Sequence, residues 1–194
     1  MKKLLTLFLV VFAFAACAKE SNNVPPAAAP EAAAAQAQQA ALAAPVYPAL
    51  SEAEQITLTA DYNFPALNGG SDFVLSRSSN KPVLVAIMAG YCGFCKRMIP
   101  YIDELAGRYK DKNVDVIIAF VDQNPQGNNL TEIEAVKAIQ NVPVYYNSVP
   151  LKDELKLEGY PTMYLINNGK LIQKWIGADP SYVDFMAQEI NKVL

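Results

Sequence analysis

The chain has 194 residues, 52% of them apolar, no histidine, three cysteines and a formal net charge of −3. That length and apolar content suffice for one ordinary domain around a single core, and a mildly acidic balance without a basic run removes the electrostatic case for nucleic acid or anionic lipid. Structural zinc needs about four ligands, so three cysteines without histidine exclude a zinc site, and no metal is expected.

Met1-Lys2-Lys3 followed by Leu4 to Ala16 has a positive start, a short apolar stretch and then small residues. This predicts a secretory signal over residues 1–16, because a spanning helix needs about 20 apolar residues. Losing its two lysines takes the charge from −3 to −5. Phe14-Ala15-Ala16-Cys17 resembles the lipobox of bacterial lipoproteins, with Phe14 where leucine is usual. The resemblance implies that Cys17 is acylated and holds the protein on the outer side of a bacterial membrane, in the periplasm. The alternative is ordinary cleavage after Ala18, which leaves an odd thiol in an oxidising space. Residues 17–50 read as a tether: Val24 to Leu50 is almost entirely Ala, Pro and Gln, with Glu31 its only charge. Such a segment has no branched apolar periodicity to build a core, and a lone alanine helix is marginal in water.

Residues 51–194 form the predicted domain. Ile56-Thr57-Leu58 and Phe73-Val74-Leu75 read as a hairpin around Asn68-Gly69-Gly70. Val83 to Met88 is continuously apolar, as a strand covered on both faces requires. Phe94, Met98, Ile102, Leu105 and Tyr109 then recur at helical spacing from Gly93 to Tyr109, with Pro100 expected to kink that helix. Val114 to Val121 returns as a buried strand, completing a βαβ unit. Beyond the turn-rich Asp122 to Gly127, a helix is expected over Leu130 to Gln140, capped by Thr131 or Asn129. A short strand at Val142 to Tyr146 and a short helix at Leu151 to Leu157 follow. Thr162 to Ile166 and Leu171 to Ile176 flank Asn167-Asn168-Gly169-Lys170, a strong hairpin signal. A last amphipathic helix runs from Pro180 to Val193. The order predicts an α/β fold with a mixed sheet flanked by helices, an N-terminal β-hairpin and a central helical insert.

Chemistry concentrates at Cys92-Gly93-Phe94-Cys95, between the strand and the helix. Unpaired N–H groups and the positive end of the helix dipole favour a thiolate, the species that attacks disulfides. Cys92 is therefore the expected nucleophile. Cys95, one turn inward, is expected to resolve a mixed disulfide on Cys92. An inert structural disulfide is the bland alternative, although closing so small a loop removes little chain entropy.

Several landmarks in order resemble the thioredoxin fold: Cys92 to Lys96, Pro100, Asp122-Gln123-Asn124-Pro125, Gly159-Tyr160-Pro161-Thr162 and the Asn168-Gly169 turn. The stretches Asp61 to Lys81 and Gln126 to Glu158 further resemble the TlpA-like branch of membrane-tethered bacterial thiol–disulfide oxidoreductases. The resemblance implies a cis Pro161 opposite the cysteines, with Tyr160 offering backbone groups to an extended substrate segment. It also exposes departures. Tyr91 stands for the usual tryptophan, Phe94 for proline, Ala86 for a buried aspartate, Met98 for a glutamate and Ile118 for a lysine.

These readings converge on an enzyme that exchanges disulfides with protein cysteines, with Tyr91 and Phe94 as an apolar lip around Cys92. It needs no cofactor, since the electrons reside in the sulfur pair, and a membrane or periplasmic redox partner resets it. Reductant, oxidant and isomerase all stay open. Peroxidase activity is disfavoured, because no P-x-x-x-T-x-x-C site surrounds Cys92. A thioredoxin-fold adaptor or chaperone-like module with a structural disulfide is the alternative from another class.

Overall fold

The computed structural model describes residues 50–51 and 54–194. The predicted signal, Cys17 and all of the tether but its last residue lie outside the described residues.

The sheet is built on β3 (Val83–Met88), every residue of which is buried. It pairs in parallel with β4 (Asp115–Phe120) and antiparallel with β6 (Thr162–Asn167). Adding β5 (Val144–Tyr145) and β7 (Lys170–Ile176) gives the order β5-β4-β3-β6-β7. Alternate side chains of β3 go to opposite faces, as strand geometry demands. Leu84, Ala86 and Met88 pack with α1 (Gly93–Tyr109) and the C-terminal α4 (Tyr182–Val193), whereas Val83, Val85 and Ile87 join a second core with the N-terminal hairpin. Two covered faces explain why this strand is apolar without alternation.

That hairpin is β1 (Tyr62–Phe64) paired with β2 (Phe73–Leu75). The expected first arm, Ile56 to Leu58, is a correction: it lies instead against the start of β7, through a Thr57–Lys170 bridge and the Leu58 N–H donating to Gly169 at 2.8 Å. Tyr62-Asn63-Phe64 has the buried-exposed-buried alternation that a strand with one wet face needs.

The helix expected over Leu130 to Gln140 is also corrected. It is a 3₁₀ turn (Leu130–Glu132) followed by one α turn, α2 (Glu134–Lys137). Leu130, Ile133, Val136 and Ile139 are spaced by three, which suits the tighter 3₁₀ geometry and drifts off one α-helical face. Neither proposed cap acts as one: Asn129 sits left-handed at φ 50° without a side-chain capping bond, and Ile133 precedes the α turn. The later short helix, α3 (Val149–Glu154), starts two residues earlier than expected, with Pro150 in its first turn, where a missing N–H does no harm. α1 runs unbroken through Pro100.

The β6–β7 hairpin needs Gly169. Its φ is +69°, and a Cβ there would lie 2.3 Å from the Arg77 carbonyl oxygen.

Candidate functional site

Both cysteines hang from the C-terminal end of β3. Cys92 is the N-cap of α1, with extended backbone (φ −81°, ψ 112°), and its Sγ accepts the Cys95 N–H at 3.2 Å. This sulfur thereby satisfies one of the orphan donors of the helix start. Cys92 is half-buried and Cys95 has no solvent exposure, and the structure holds both as free thiols. Burial pushes the Cys95 thiol up, well above its ordinary range, and the hydrogen bond and charge of Cys92 push the same way.

What surrounds Cys95 explains the strength of that effect. Ala86, Met98 and Ile118 belong to the same buried apolar cluster as Cys95. The wall behind the inner thiol is apolar.

Opposite the pair, Tyr160-Pro161 is a cis peptide. The Cys92 thiol points at the Tyr160 carbonyl oxygen, with sulfur and oxygen 3.7 Å apart. Tyr91 is 79% exposed and meets the Tyr160 ring edge-on at 6.3 Å, while Phe94 is 57% exposed under the Arg97 guanidinium at 4.4 Å. Burial, then Tyr91, pushes the Tyr160 phenol up. The structure thus links Tyr91, Cys92, Cys95 and Tyr160-Pro161 by direct contact, with Phe94 exposed one position before Cys95.

Sequence reasoning missed Asp122, which it assigned to turn chemistry. Its carboxylate is buried just past β4 and accepts the Gly90 N–H at 2.9 Å and the Asn128 side-chain amide at 2.6 Å. Gly90 is pinned further by contact: a Cβ there would lie 2.5 Å from Leu130 Cδ2 and 3.3 Å from Asp122 Oδ1. Together these contacts tie the segment leading into Cys92 to the 122–133 insert. An acid placed two residues after the almost wholly buried strand β4 was the signal available.

A family profile described as Redoxin matches residues 59–182, more than half of the chain. The chain belongs to the Redoxin family. Within it the chain is thioredoxin-like. Thioredoxin of Acidithiobacillus ferridurans is 32% identical over 100 residues, covering 52% of this chain and 69% of that one. A protein disulfide-isomerase of Datisca glomerata is 26% identical over 133 residues, 68% of this chain but 21% of the relative. The chain therefore spans about a fifth of that longer protein. Among solved structures, the pneumococcal exposed lipoprotein thioredoxin of Streptococcus pneumoniae superposes with a TM-score of 0.58 at 23% identity, covering 69% of this chain and 99% of that one. StoA of Bacillus subtilis gives 0.56 at 16%, covering 70% and 98%. Both share the thioredoxin fold.

Proposed function

We propose that this protein is an extracytoplasmic thiol–disulfide oxidoreductase that acts on protein cysteines through Cys92-Gly93-Phe94-Cys95. The observation that carries the reading is the asymmetry of the two thiols: one at the surface, capping a helix and taking an N–H at 3.2 Å, the other sealed behind it. As a thiolate, Cys92 attacks a sulfur of a substrate disulfide. That S–S bond breaks, its other sulfur leaves as a thiolate, and a mixed disulfide remains. Cys95 then loses its proton and attacks Sγ of Cys92, releasing the second substrate thiol. The substrate has gained two electrons and the pair has become a disulfide; the same steps reversed oxidise a dithiol. No cofactor is required, and a membrane or periplasmic redox partner restores the starting state. Tyr91 and Phe94 offer apolar surface to the substrate, while Tyr160, beside Pro161, offers backbone groups to an extended segment.

Anchoring through a lipid on Cys17 completes the proposal. It is supported by the lipobox-like leader and by a structural neighbour described as an exposed lipoprotein. None of the described helices is long and apolar enough to cross a membrane. Cys17→Ala should move the protein out of the membrane fraction; unchanged fractionation would remove this part.

The deciding experiment is trapping. Cys95→Ser should accumulate mixed disulfides with protein substrates that reductant releases, and Cys92→Ser should not. The apolar wall of Ala86, Met98 and Ile118 favours a second reading, an adaptor with a structural disulfide. An adaptor predicts no adduct with either variant and intact partner binding in both.

A further inference from the structure

An open groove of about 590 Å³, lined by neither cysteine, lies between the start of α1 and the insert. Gly90, two residues before Cys92, lines one end, and Ile133 and Ala135 give it apolar wall. Its charges are not balanced. Glu132 and Glu134 on the insert are both held by Lys137, at 3.0 and 3.2 Å. Lys96 and Arg97 on α1 are exposed, and among the described residues no carboxylate lies within ion-pair reach of either. Arg97 is instead stacked on Phe94.

The position of these cations is costly for the helix. Lys96 closes the first turn of α1, which holds no acid, so it opposes the helix dipole where carboxylates are favoured, and Arg97 follows it directly. They also run against the net charge of the chain, which is negative. Lys96 stands four residues after Cys92, one helical turn along the same side. An extended segment advances about 3.3 Å per residue, so side chains two or three positions from a cysteine joined to Cys92 reach this pair.

Resting on the oxidoreductase reading, we propose that Lys96 and Arg97 form a basic lip that selects protein substrates with acidic residues two or three positions from the reacting cysteine. Charge complementarity at an exposed rim acts on encounter and register, so the preference appears in the rate of exchange and weakens with salt.

The test uses the reduced full chain and two synthetic peptides, each with one cysteine held as a mixed disulfide with 2-mercaptoethanol. One peptide carries Asp two and three positions to either side of the cysteine, and the other carries Asn there. In each reaction the Cys92-Cys95 dithiol becomes a disulfide, and the peptide thiol and 2-mercaptoethanol are released. The quotient of the two second-order rate constants cancels any change in the thiol itself. It should be about fivefold in favour of the Asp peptide at low salt, the size given by two exposed ion pairs, and should approach one at high salt. The overall negative charge alone predicts the opposite sign. Lys96→Glu/Arg97→Glu should invert the quotient, and Lys96→Gln/Arg97→Gln, which avoids a new acid in the first turn, should bring it to one. Equal rates with the wild type, or a quotient unmoved by both double variants, overturns the lip and leaves the oxidoreductase reading standing. A wild type that reduces neither peptide sinks that reading, and the lip with it.

Discussion

Raising the pH should destabilise the reduced protein more steeply than the disulfide form, and the difference comes from the buried Cys95 thiol. In the folded state burial holds that thiol protonated far into the alkaline range. In the unfolded chain it ionises near an ordinary value of about 8.5. Above that value the unfolded state binds fewer protons than the folded one, so stability falls as pH rises and is fully present below it. One thiol that stays protonated in the fold contributes a loss of about 2 kcal/mol between about pH 8 and pH 10. This is a large fraction of the 5 to 15 kcal/mol typical of a domain. Urea unfolding of the reduced chain across that range measures the slope, with the disulfide form as an internal control: it has no Cys95 proton to lose, while its tyrosines and lysines titrate as before. Cys95→Ala, kept reduced, should lose the extra slope as well. Parallel pH profiles for dithiol and disulfide forms would refute the assignment of Cys95 as a sealed, protonated thiol.

Gly90→Ala should destabilise the protein by about 1 to 3 kcal/mol in urea unfolding, because its Cβ meets Leu130 at 2.5 Å and the Asp122 carboxylate at 3.3 Å inside a packed region. Gly93→Ala, where a Cβ meets nothing within 4 Å, should leave the stability of the reduced form unchanged or raise it by up to about 1 kcal/mol. Asp103→Ala should cost about 1 to 3 kcal/mol by the same measurement, since one carboxylate on α1 accepts the N–H groups of Asn141 and Val142 at 2.7 and 2.8 Å as the chain enters β5.

The strands at the heart of the sheet were legible in the sequence, because a strand buried on both faces favours apolar residues along its whole length, as Val83 to Met88 shows. The cysteine pair was legible for a related reason: a strand, a C-x-x-C and a helical pattern in succession leave the first cysteine at a helix cap. Short elements were not. Ile56 to Leu58 and Tyr62 to Phe64 are triplets of similar propensity, and only tertiary pairing assigns the second to β2 and the first to the edge beside β7. The insert misled because its apolar residues, spaced by three, match a helix over one turn and fail over three. Asp122 and Arg97 show a different limit. Each has an ordinary solvated reading in the sequence, and only the fold puts one under Gly90 and the other over Phe94.

The ladder between β3 and β6 sets Ile87 against Thr162. The cysteine segment leaves one of these strands a few residues later, and Pro161 immediately precedes the other. The gap across which sulfur meets a partner chain is thus machined by main-chain hydrogen bonds, independently of the side chains that face it. Substitutions at Tyr91, Gly93 and Phe94 can therefore reshape the surface beside Cys92 while the jaws keep their spacing.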